Sequence, residues 1–68
     1  MSYILKEEVA KDILKKYKNS YIADTLGLTV PYISVILHRK RPIQKHVAYS
    51  LTKIINNNAE IDDFFERV

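Results

Sequence analysis

Sixty-eight residues with 47% hydrophobic content make one domain with a small core. There is no cysteine, which excludes disulfide staples, thiolate zinc ligands and a cysteine nucleophile. Net charge is +3 and unevenly spread. Residues 1–24 hold five lysines against Glu7, Glu8, Asp12 and Asp24. Residues 25–59 hold Arg39, Lys40, Arg41, Lys45 and Lys53 and no acid. Residues 60–68 hold four acids against Arg67. A carboxylate-free stretch suits a polyanionic partner, because a carboxylate facing phosphate would repel it. No apolar run reaches the ~18 residues of a membrane span. The N-terminus turns charged too early for a signal peptide, so a cytoplasmic protein is expected.

The apolar positions Leu5, Val9, Ala10, Ile13, Leu14 and Tyr17 draw one stripe on a first helix. Glu7 and Glu8 early, and Lys15 and Lys18 late, suit its dipole. Asn19 and Ser20 have N-cap chemistry and open a second, two-turn helix with Ile22, Ala23 and Leu26 inward. Gly27 closes it in the left-handed region. Thr29 caps a third helix that starts within a residue of Pro31. Its inner side carries Ile33, Ile36 and Leu37, its outer side Pro31, Ser34, Val35 and His38. Val30 falls near the buried edge on the same count.

Arg39-Lys40-Arg41-Pro42 reads as an exposed loop. A fourth helix over about 44–56 buries Val47, Ala48, Leu51, Ile54 and Ile55, and three asparagines break it. A last helix over about 59–68 buries Ile61, Phe64, Phe65 and Val68. No segment alternates with period two between turn signals, so no sheet is expected. The fold class is therefore all-α, a compact five-helix single domain over 1–68.

The informative stretch is Ile22 to Ile36. A small residue at Ala23, a positive-φ residue at Gly27, anchors at Ile33 and Ile36, and corner fillers at Leu26 and Leu28 meet the demands of two short helices crossing through a tight turn. The pattern A-x-x-L-G-x-x-x-x-x-I-x-x-I resembles the helix-turn-helix of lambda-repressor-like and Cro-type regulators. The resemblance covers residues 4–56, with the motif over about 19–38 and a basic loop behind it.

It implies a sequence-specific double-stranded DNA-binding regulator of phage or mobile-element type, a repressor acting in the cytoplasm without a cofactor, metal or small-molecule substrate. By position, Thr29, Val30, Pro31, Ser34 and Val35 would face bases. Asn19, Ser20, Tyr32, His38, Arg39, Lys40, Arg41, Gln44 and Lys45 would hold phosphates, Tyr32 having the alternative of packing inside. The third helix departs from the family's usual pattern. It offers no amide or guanidinium for a bidentate base contact, and Val35 and Val30 can meet thymine methyls instead.

His38 and His46, without a cysteine, make a poor metal pair and better phosphate contacts or plain exposed residues. Asp62, Asp63 and Glu66 have no base or nucleophile beside them, and no enzyme is expected. Phe64 and Phe65 either cap the core or form a dimer or partner contact, since such regulators usually bind two half-sites as dimers. Two rival classes stay open. One is a protein-interaction module, such as an antitoxin or anti-repressor, favoured by the apolar acidic tail. The other is a weakly specific DNA-bending accessory protein, favoured by the apolar third helix.

Overall fold

The computed structural model describes residues 2–68, which pack into a body of 25 × 25 × 21 Å. The chain runs β1 (Ser2–Leu5), α1 (Glu7–Lys16), α2 (Asn19–Leu26), α3 (Val30–Leu37), β2 (Ile43–Gln44), α4 (Lys45–Ile55), α5 (Ile61–Phe64) and β3 (Phe65–Arg67). It is mostly helical, with five helices among the described residues, but it is not all-α. The strands form a three-stranded antiparallel sheet in the order β2-β1-β3.

The sheet corrects both ends of the sequence reading. Leu5 does not begin the first helix. It closes β1, where Tyr3 and Leu5 point inward and Ser2 and Ile4 stand half-buried. Four residues are too short for that alternation to announce itself. The expected terminal helix is a single turn. It is opened by a reciprocal cap in which Asp63 accepts from the Glu60 amide at 2.9 Å and the Glu60 side chain accepts from the Asp63 amide. Phe65 then turns extended (φ −125°, ψ 150°) and pairs with Leu5, while Arg67 pairs with Tyr3. Strand alternation sends Phe65 inward and Glu66 outward. Pairing with β1 satisfies a backbone edge that a terminal helix would have left open, and this overrides the local helical pattern. Val68, expected in the core, is 65% exposed.

α1 is capped by the extended Lys6, buries Ala10 and Ile13, and leaves Leu14 40% exposed, outside the stripe expected of it. α2 is preceded by Lys18 rather than capped by Asn19 or Ser20, which occupy its first turn without a side-chain cap bond. In α4 the buried positions are Ala48, Leu51 and Thr52, while Val47, Ile54 and Ile55 are half-buried. The Thr52 hydroxyl avoids an unpaired burial by donating to the Ala48 carbonyl at 2.8 Å. Lys53 is spent on the same end of α4. Its Nζ donates to the carbonyls of Ala59 (2.8 Å) and Asn57 (3.2 Å) and holds the asparagine turn against the helix.

The turn between α2 and α3 follows the expected chemistry. Gly27 sits at φ 71°, ψ 31°, and the Leu28 amide returns to the Ala23 carbonyl at 2.9 Å. The Thr29 side chain accepts from the Tyr32 amide at 3.3 Å, and Pro31 lies in the first turn, where no amide is required. A Cβ on Gly27 would meet nothing within 4 Å, so the cost of adding one is conformational alone. Gly27→Ala is expected to lose about 1 kcal/mol of stability through the positive φ, seen as a lowered urea midpoint with an unchanged slope.

α3 ends on a second left-handed residue, Arg39 at φ 56°. The Lys40 amide bonds the Val35 carbonyl and the Arg39 amide the Ile36 carbonyl, both at 3.1 Å, in a Schellman closure that usually carries glycine. What Arg39 gains is a long-range tie. Its Nε donates to the Leu5 carbonyl at 2.8 Å and its guanidinium lies 3.5 Å from Glu7. Arg39→Ala is expected to cost about 2 kcal/mol by losing that charge-assisted bond while keeping the strain. Arg39→Gly should recover about 1 kcal/mol of it by relaxing φ. Urea midpoints of the two variants check the order.

Candidate nucleic-acid interface

α2 and α3 are joined by Gly27, Leu28 and Thr29, and the two helices turn through 112°. Ile22, Ala23, Ile33, Ile36 and Leu37 meet in the core with Tyr3, Leu5, Ile13, Leu51 and Phe65. Fixing α3 by that inner face presents its other face outward. Thr29, Val30, Pro31 and His38 are exposed, and Ser34 and Val35 are half-buried. Val30 is 45% exposed and not at a buried edge, because it opens the helix and no preceding turn covers it.

Beside this face lies an open cleft of about 490 Å³. Tyr32 and Leu28 line one side, Arg41 and Pro42 the loop side, and Gln44, His46 and Val47 the start of α4. Three elements thus converge there because β2 pairs with β1, with Tyr3 opposite Ile43 and Ser2 opposite Gln44. That pairing holds the loop and the first turn of α4 near the first turn of α3. Sequence reasoning gave His46 phosphate contact or plain exposure without naming it as a site residue. Its place in the first turn of α4, two residues past Gln44, is the sequence signal that points to it.

Among the described residues lining the cleft, Arg41 carries the charge. Lys40 and Arg41 are exposed and enter no ion pair among the described residues, whose salt bridges are Lys11–Glu7, Lys16–Asp12, Arg39–Glu7 and Arg67–Asp62. The amide face at the start of α2 lies with Asn19 half-buried and Ser20 exposed, their side chains free of any hydrogen bond among the described residues. That is a polar helix terminus able to receive an anion.

Several expected site residues lie elsewhere. Arg39 is committed to Leu5 and Glu7, which takes its guanidinium back toward α1. His38 lines a separate cleft with Glu7, Lys11 and Arg39. Lys45 lines a third with Tyr49, Glu60, Asp62 and Arg67, on the side of the acidic segment. Phe65 is 2% exposed in the core, and half-buried Phe64 packs against it. Phe65 is therefore a core cap, and its ring is closed to a dimer or partner contact. Among the described residues no group of three or more histidines, aspartates or glutamates gathers as a metal site. Among the described residues no single helix is long and apolar enough to cross a membrane. No family model, curated protein or solved structure matches this chain.

Proposed function

We propose that this chain is a sequence-specific double-stranded DNA-binding regulator that lays α3 in the major groove. The observation that carries the reading is the 112° turn between α2 and α3 across a three-residue link, with Tyr32 of α3 and the exposed Arg41 lining one cleft. DNA-reading helix pairs cross at about 90–120°, and the second helix of the pair is the one that enters the groove. In this pose Val30, Pro31, Ser34 and Val35 face base edges. Arg41, Lys40, Gln44, Tyr32 and His46 meet the phosphates of one strand, and the first turn of α2 meets the other. The resemblance to Cro-type regulators adds a repressor role in a bacterial or phage-infected cell, on DNA sites read by a homodimer.

Of the two rival readings, one keeps only part of the feature that favoured it. A protein-interaction module drew on the apolar acidic tail with Phe64 and Phe65, of which Phe65 is inside, Phe64 half-buried and Val68 exposed. A DNA-bending accessory protein draws on the apolar outer face of α3, which stands. Selection from a random duplex library at two salt concentrations separates them. A regulator enriches a defined sequence at both salts. A bending protein binds every duplex with a steep salt slope and enriches none. Failure to bind any duplex would defeat both.

A further inference from the structure

The outer face of α3 has an unusual chemistry for a groove-reading helix. From Val30 to Leu37 it holds no amide, guanidinium, ammonium or carboxylate. The groups it offers outward are the Val30 and Val35 methyls, the Pro31 ring and the Ser34 hydroxyl. The hydroxyl of Thr29, the cap residue before it, already accepts from the Tyr32 amide. Val30 is 45% exposed, and Pro31 beside it is exposed as well. An apolar face of this kind has one matching partner among base edges. In the major groove the C5-methyl of a pyrimidine is the apolar group, whereas every other feature is a hydrogen-bond donor or acceptor.

We infer, resting on the DNA-binding reading above, that site choice by this chain is set by pyrimidine 5-methyl groups, with Val30, Pro31 and Val35 as the contacts. The flanking cations hold the duplex without reading it, since phosphates carry no sequence. The carboxylate-free run of residues 25–59 fits a polyanion around that apolar strip.

The test runs selection in parallel on a thymine library and on one synthesised with deoxyuridine, which keeps every hydrogen-bonding edge and removes the methyl alone. A third arm carries 5-methylcytosine in place of cytosine. The thymine library should enrich a site whose deoxyuridine version binds about fourfold more weakly per contacted methyl, with the same salt slope. Val30→Ser, an exposed change, should narrow the gap between the two versions by about fourfold, the share of the one methyl contact it removes, while Pro31 and Val35 keep the rest. Enrichment restored in the deoxyuridine library by 5-methylcytosine would also support methyl reading and name the second base able to supply it. Equal enrichment of thymine and deoxyuridine libraries, or salt-dependent binding without enrichment in any arm, would overturn methyl reading and leave DNA binding standing. Absence of binding in every arm would overturn the DNA-binding reading itself.

Discussion

Phe65→Ala is expected to leave the chain largely unfolded at 25 °C. Phe65 is 2% exposed and sits opposite Leu5 where β3 joins β1. Truncating a buried phenylalanine costs about 3–5 kcal/mol, and a domain of this size rarely has more than about 3–5 kcal/mol in total. The variant should lose most of its helical circular dichroism and its cooperative urea transition. Phe64→Ala, at a half-buried position, should keep both with a lowered midpoint. If Phe65 served a subunit contact instead of the core, its replacement would leave the urea transition of dilute protein unchanged and alter only the sedimentation behaviour.

The second large effect is on binding. Lys40 and Arg41 are exposed and unpaired among the described residues, so removing them leaves the fold intact. Each cation on a phosphate contributes about 0.9 to the slope of log affinity against log salt. The double variant Lys40→Gln, Arg41→Gln should flatten that slope by about 1.8, which amounts to roughly fiftyfold weaker binding near 0.1 M salt. Because phosphate contacts are blind to sequence, the loss should be similar on selected and unselected duplexes. Arg39→Gln should barely change the slope, since that guanidinium is held by Leu5 and Glu7. An altered site preference in the double variant, with the salt slope untouched, would show that these cations read bases.

What could be read from the chain alone was what local chemistry decides. Gly27 predicts a left-handed turn because of its missing Cβ, and Thr29 with Pro31 predicts a helix start within a residue of the observed one. The inner face of α3 follows from helical spacing, and Ile33, Ile36 and Leu37 are buried as counted. What could not be read depends on partners far away in sequence. β1 and β3 are three or four residues long and come from opposite ends of the chain. Neither carries a pattern longer than its own pairing, so the spacing alone places Leu5 and Phe65 on helices.

The misplacement of Arg39 follows from the same blindness. A cation in a basic loop reads as a phosphate ligand until β1 is known to offer it the Leu5 carbonyl. Lys45 likewise reads as part of the basic loop by adjacency. The first turn of α4 rotates it instead toward Glu60 and Asp62. The candidate interface thus kept its helix and lost two of its expected cations, while His46 joined it.

A titration of isotope-labelled protein with an enriched duplex, followed residue by residue through amide chemical shifts, tests the central claim most directly. Large shifts should fall on residues 29–35 and 40–46 and on the first turn of α2, with residues 60–68 unmoved. Shifts centred on α5 and β3, with α3 silent, would contradict it.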